Sequence, residues 1–232
     1  MKQLFRLIAT IAIAIAVSAT ASAQYVYSPN LAVGVKAGAT LSRMTFSPEV
    51  TQKFLPGFIA GASVRYTEEN HFGLIGEINI EQRGWQEDFE EYSSDFNYQH
   101  TLTYIQIPLL THIYFGSKTC KFFINLGPEF GYMISDHVKA NFDYNDIASI
   151  PDFPRGYRTN EQLAMKVSNR FDYGISGGLG VELIAAKRNS ILLEGRFYYG
   201  LGNIYPSSKR DFFSASRGMS IEITLGYMFR IK

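Results

Sequence analysis

Residues 101–134, TLTYIQIPLLTHIYFGSKTCKFFINLGPEFGYMI, are two runs of alternating apolar residues joined by a short polar turn. Ile105, Ile107, Leu109, Ile113 and Phe115 share one parity in the first run, and Phe122, Ile124, Leu126, Phe130, Tyr132 and Ile134 share one in the second. A period of two is a strand signal, because successive side chains point to opposite faces of a sheet. The opposite parity carries Tyr104, Gln106, His112, Tyr114, Asn125, Gly127, Glu129 and Gly131, a mixed polar set with glycines. A hairpin with one continuous greasy face and one such polar face suits a wall between lipid and a polar interior, the pattern of a transmembrane β-barrel.

The first residues follow different rules. Lys2 and Arg6 precede an apolar run from Leu7 to Val17, and Ala21-Ser22-Ala23 follows. A basic start, a short apolar stretch and a small-x-small site describe a secretory signal peptide over 1–23, cleaved after Ala23, because the apolar run is shorter than the roughly 20 residues of a spanning helix. Residues 24–232 then form one domain. The single Cys120 leaves no internal disulfide to form, and no cysteine stands at the cleavage point to carry a lipid.

Six further segments alternate in the same way: 31–42, 58–66, 72–83, 171–183, 191–201 and 219–231. With the hairpin they give eight strands. Their connections alternate as strongly as their residues do, with short links at 67–71, 116–121 and 186–190 and long ones at 43–57, 84–100, 135–170 and 202–218. The expected fold is therefore all-β, an eight-stranded antiparallel transmembrane barrel, an up-and-down meander with short periplasmic turns and long extracellular loops. Aromatic residues make up 15% of the chain and fall at both ends of the strands, as an interfacial girdle requires. Phe122 to Tyr132 spans about 33 Å of strand, which a tilt near 40° reduces to roughly 25 Å of height. A soluble periplasmic lipid-binding barrel is the alternative. It inverts the faces, turning Ile105, Ile107 and Leu109 inward and Glu77, Glu182 and Glu194 to water.

Eight strands close on an interior just wide enough for side chains. The inward parity predicts that Lys36, Arg65, Arg83, Arg196 and Arg230 face Glu77, Glu81, Glu129, Asp172, Glu182, Glu194 and Glu222 in a charged plug, since a lone buried charge is costly. The alternative is a narrow ion path along the same groups. Ser176 and His112 also point inward, but no motif binds them to a triad, so no catalytic residue is expected. His71, His100 and His137 fall in links without metal-ligand spacing and are expected to be solvated. No metal or cofactor site is expected. The stretch GISGGLG at 174–180 lacks the Lys-Ser/Thr ending of a phosphate loop and reads as barrel wall. A net charge of +1 on an exported chain gives no support for nucleic-acid binding. The acidic, aromatic link 84–100, with Trp85, Phe89, Tyr92, Phe96 and Tyr98, reads as a solvated outer loop or a contact for a cation, glycan or protein.

The phrases VGVKAGATLS, YIQIPLL, FFINLGPEFGYMIS, FDYGISGGLGVEL, FYYGLGNI and ITLGYMF, in this order from Val33 to Phe229, resemble the PorT-like outer-membrane β-barrel family. The resemblance implies insertion by the barrel-assembly machinery, with Tyr227 and Phe229 as the aromatic C-terminal signal, although Arg230, Ile231 and Lys232 extend past it. It also implies a tie to type IX-like protein secretion, and it carries over no catalytic residue. The sequence thus points to a small integral outer-membrane barrel in contact with lipid. Its expected role is structural or interactive and non-enzymatic, with an extracellular or secretion-system protein as the expected kind of partner; a narrow channel or secretion accessory is the alternative.

Overall fold

The computed structural model describes residues 30–69, 71–89, 96–151, 153–154, 158–186, 188–208 and 210–231. The segment 1–23 with its Ala23 site, and Tyr92 of the link 84–100, lie outside the described residues. Nine strands follow in order: β1 (Asn30–Ser47), β2 (Gln52–Lys53), β3 (Leu55–Glu69), β4 (Phe72–Glu87), β5 (Tyr98–Gly116), β6 (Cys120–Ala140), β7 (Phe171–Ala186), β8 (Asn189–Gly200) and β9 (Ala215–Arg230). All but β2 form a ring. Each pairs antiparallel with its neighbours in the chain, β4 pairs with β5, and β1 meets β9 at the seam, with Val35 opposite Tyr227. Every wall strand therefore has two partners and the sheet has no free edge. The two-residue β2 only clasps the end of β4, placing Gln52 opposite Glu87.

Parity decides which side each residue takes. Ile107 is 48% exposed and Leu179 66%, whereas Glu81 is 0% and Glu182 1% exposed. This is the reverse of the inverted faces of a soluble lipid-binding barrel, since Ile105 and Leu109 also point outward and Glu77 and Glu194 are buried. An unbroken exposed apolar belt is stable only against lipid. Inward glycines make room for large inward neighbours: a Cβ on Gly180 would lie 2.2 Å from the Phe123 ring. Among the described residues, no helix is long and apolar enough to cross a membrane, which says nothing about strands.

The strands run further than the alternation indicates. β6 continues to Ala140 and β5 begins at Tyr98, beyond the expected bounds near 134 and 101. The ladder persists there, pairing Thr101 with His137, while the outer face turns from Ile105 to Thr103, Thr101 and Gln99. Apolar alternation ends where the belt ends; hydrogen bonding does not. Leu201, at the same outer margin, falls just outside β8, and Ile231, at the other margin, just outside β9.

Candidate functional site

Three arginines organise the middle of the lumen. Arg65 on β3 donates to both oxygens of Glu182 on β7, at 2.9 and 2.7 Å. Arg196 on β8 donates to both oxygens of Glu77 on β4, each at 2.8 Å, and also to Glu194. Lys36 on β1 stands 2.7 Å from the same Glu77. Arg83 on β4 engages Glu81 at 2.5 Å, Asp172 at 3.3 Å and Glu129. Its guanidinium lies 3.7 Å over the Tyr198 ring, whose hydroxyl donates to Asp172 at 2.9 Å. Such planar forks crossing from wall to wall are what arginine supplies and lysine does not.

Seven carboxylates, of Glu77, Glu81, Glu129, Asp172, Glu182, Glu194 and Glu222, share this interior with the four cations of Lys36, Arg65, Arg83 and Arg196. Glu222, 1% exposed on β9, has no hydrogen-bond partner for either oxygen among the described residues. It belongs to the plug by position, not by pairing. His112 and Ser176 are also apart in their bonding: His112 Nδ1 contacts Asn125 Oδ1 at 2.8 Å, and Ser176 donates to Glu129 at 2.5 Å. Among the described residues, no group of three His, Cys, Asp or Glu side chains has the arrangement to hold a metal.

Above the charged layer the lumen is apolar. Met44 and Phe46 from β1, Trp85 from β4 and Tyr98, Leu102 and Tyr104 from β5 pack with Val50, Phe89, Ile147, Phe153, Leu163, Tyr205 and Phe213 from the four long links. Trp85 meets Phe46 edge-on at 5.2 Å between centroids, and Phe46 meets Phe213 at 4.8 Å. One ion pair is sealed within: Arg158 donates to both oxygens of Glu87, at 3.1 and 2.8 Å. Burial pushes the Glu87 carboxyl up and Arg158 pulls it back. A helical turn at Asn160–Leu163, held by a capping box from Thr159, places the Leu163 carbonyl to accept from the Tyr98 hydroxyl at 2.9 Å. The described residues of the link, 84–89 and 96–100, are thus largely strand and cap core rather than a solvated loop. His100 is corrected with it. Its side chain is 1% exposed beneath Trp85, at 4.5 Å between rings, because the links fold back over the barrel end. Burial pushes its ring down to about 4, against the partial pull of Asp136 at 3.8 Å.

The opposite end stays open. A vestibule of about 850 Å³ is lined by Arg65, Glu182, Tyr114, Lys118, Lys121 and Arg230, among others. Arg230 therefore lines a mouth and does not join the ion pairs of the plug, because it is the last residue of the β9 ladder. Lys121 and Lys118 carry no alternation signal, and neither does the Glu87–Arg158 pair, whose members lie far apart in sequence; only the closed ring brings these groups together. Tyr227 and Phe229 lie on the outer face of β9, and the Tyr227 hydroxyl meets Asn189 at 2.6 Å.

A family model described as outer membrane protein beta-barrel domain matches residues 22–205. No curated protein sequence matches the chain. Similar solved structures include OprG of Pseudomonas aeruginosa, at 9% identity and TM-score 0.49, covering 86% of this chain and 95% of that one. Ail of Yersinia pestis is 13% identical with TM-score 0.40, covering 86% and 99%. Neisserial surface protein A is 12% identical with TM-score 0.42, covering 85% and 97%.

Proposed function

We propose, from the premise that the chain belongs to the outer membrane protein beta-barrel domain family, that it acts as a closed, non-enzymatic barrel whose folded outer cap is a contact surface for another protein. It is an integral outer-membrane protein, with its belt in lipid, its short turns toward the periplasm and its long links outside. The observation that carries the proposal is the cap. Four links share one aromatic core sealed around Glu87 and Arg158, which favours a fixed surface over a gate. The lumen beneath it is filled by side chains that cross between walls, which favours support over passage. On this reading the barrel-assembly machinery inserts the chain through Tyr227 and Phe229, and the secretion system suggested by the PorT-like resemblance is one source of a partner.

Planar-bilayer recording and cross-linking test this together. The expected outcome is no steady conductance and a cross-linked outer-membrane partner that is lost when the cap is opened by Arg158→Met. Steady conductance that changes with Glu194→Gln or Arg196→Gln would replace the proposal with a narrow channel.

A further inference from the structure

The periplasmic mouth has a charge balance opposite to that of the plug above it. Its floor is the Arg65–Glu182 pair, in which both terminal guanidinium nitrogens and both carboxylate oxygens are already engaged. Around that floor stand Lys118, Lys121 and Arg230, and among the described residues none of the three is paired with a carboxylate. Three like charges at the rim of one concavity repel each other, and low-dielectric walls focus their field into the space between them. Lys121 is held there: its ammonium lies 4.3 Å from the centroid of the Tyr114 ring, so it stays over the vestibule instead of reaching out to the bilayer surface. The volume, about 850 Å³, falls within the range of small-molecule sites and is far larger than a trapped water needs.

We infer that this mouth is an anion-binding vestibule that takes a phosphate-bearing group from the periplasmic side, with Lys118, Lys121 and Arg230 as its ligands above the Arg65–Glu182 floor. A phosphate presents several strong acceptor oxygens and more than one negative charge to three converging cations, whereas a single carboxylate leaves part of their repulsion unrelieved. The group can arrive as a free phosphorylated solute or as the headgroup of an inner-leaflet phospholipid; both present the same chemistry. The inference requires only the orientation of the barrel and is independent of what the outer cap contacts.

The test uses the full-length mature protein in nanodiscs. In phosphatidylcholine discs, calorimetric titration with sodium pyrophosphate is expected to show saturable binding that weakens with added salt. Lys121→Gln and Arg230→Gln are each expected to raise Kd about tenfold, the loss of one charge-assisted contact. Lys139→Gln, exposed at the far end of β6, leaves binding unchanged. In a second arm, discs containing phosphatidylglycerol are opened in a native mass spectrometer and the lipid retained on the barrel is counted. Saturable pyrophosphate binding lost in the variants assigns a free solute; retained phosphatidylglycerol lost in the variants assigns a headgroup. Lys118→Gln, in an exposed turn, serves as a third variant should either of the others lose heat-modifiable gel migration. Neither probe binding the wild-type barrel, or both binding the variants as they bind the wild type, overturns the inference.

Discussion

Arg83 and Glu222 share one lumen but differ in what they would take with them, and that difference can be measured. Arg83→Met keeps the unbranched apolar stem of the side chain and removes every donor. Glu81, Glu129 and Asp172 would then lose the one guanidinium that contacts all three. Breaking a buried pair by removing one partner costs about 3–5 kcal/mol, because a charge is left uncompensated. Three carboxylates are left here, so the upper part of that range applies. Glu222→Gln removes a carboxylate with no hydrogen bond to lose, and its expected cost is below about 1 kcal/mol. Urea titration in lipid vesicles reads both variants through the fluorescence of Trp85, the chain's single tryptophan, which sits in the cap above the network. The double variant Arg83→Met/Glu129→Gln is expected to cost less than the sum of its parts by about 1–3 kcal/mol. The account of the plug fails if Arg83→Met costs less than 1 kcal/mol, or if Glu222→Gln costs as much as Arg83→Met.

Other outcomes follow from the cap and the belt. His100 is held neutral, with its folded value near 4 and its unfolded value near 6.5, so an opened cap takes up a proton that the folded one refuses. Cap stability should be intact above about pH 6.5 and fall as the pH drops toward 4, with peptides from 141–170 exchanging hydrogen faster; a pH-independent exchange rate, or the same acid response in His100→Phe, rejects this. Arg158→Met should expose the cap by about 3–5 kcal/mol of local stability by leaving Glu87 buried alone, and unchanged protection in those peptides would contradict it. Ile107→Arg, at an exposed position within the lipid belt, should cost roughly 2–4 kcal/mol in vesicle unfolding if the belt is the lipid contact. A negligible cost there would place the lipid elsewhere.

What was legible in the sequence was whatever one strand can encode alone. Alternation through Ile105, Ile107 and Leu109 gives the outward face, and the opposite parity puts Glu77, Glu81 and Glu182 inside, because a pleat forces that choice at every second residue. The partners along that inward face are another matter. Arg65 meets Glu182 and Arg196 meets Glu77 only after the ring closes and the strand tilt sets which levels coincide. The cap was hidden for a different reason. Its residues come from the links and from the strand ends beyond the belt: Trp85, Tyr98 and His100 lie on extensions of β4 and β5 whose outward face is polar, so no apolar alternation marks them, and His100 reads as solvated in the sequence. Arg230 was misplaced by one step of the same logic, since parity says which way a residue points and not how far along the bore it sits.

The seam between β1 and β9 has a kinetic consequence. The first and last strands of the ring hydrogen-bond to each other, with Val33 opposite Phe229 and Ala39 opposite Ile223, so no partial chain can complete the wall. Contacts of such long sequence separation close a large loop before they return any free energy, which makes the final step slow. Until β9 is made and delivered, the β1 edge is an unpaired ladder facing lipid or water. The chain must therefore be kept unfolded in transit and closed as a unit, and losing the last dozen residues would remove the clasp of the whole cylinder rather than one-eighth of its wall.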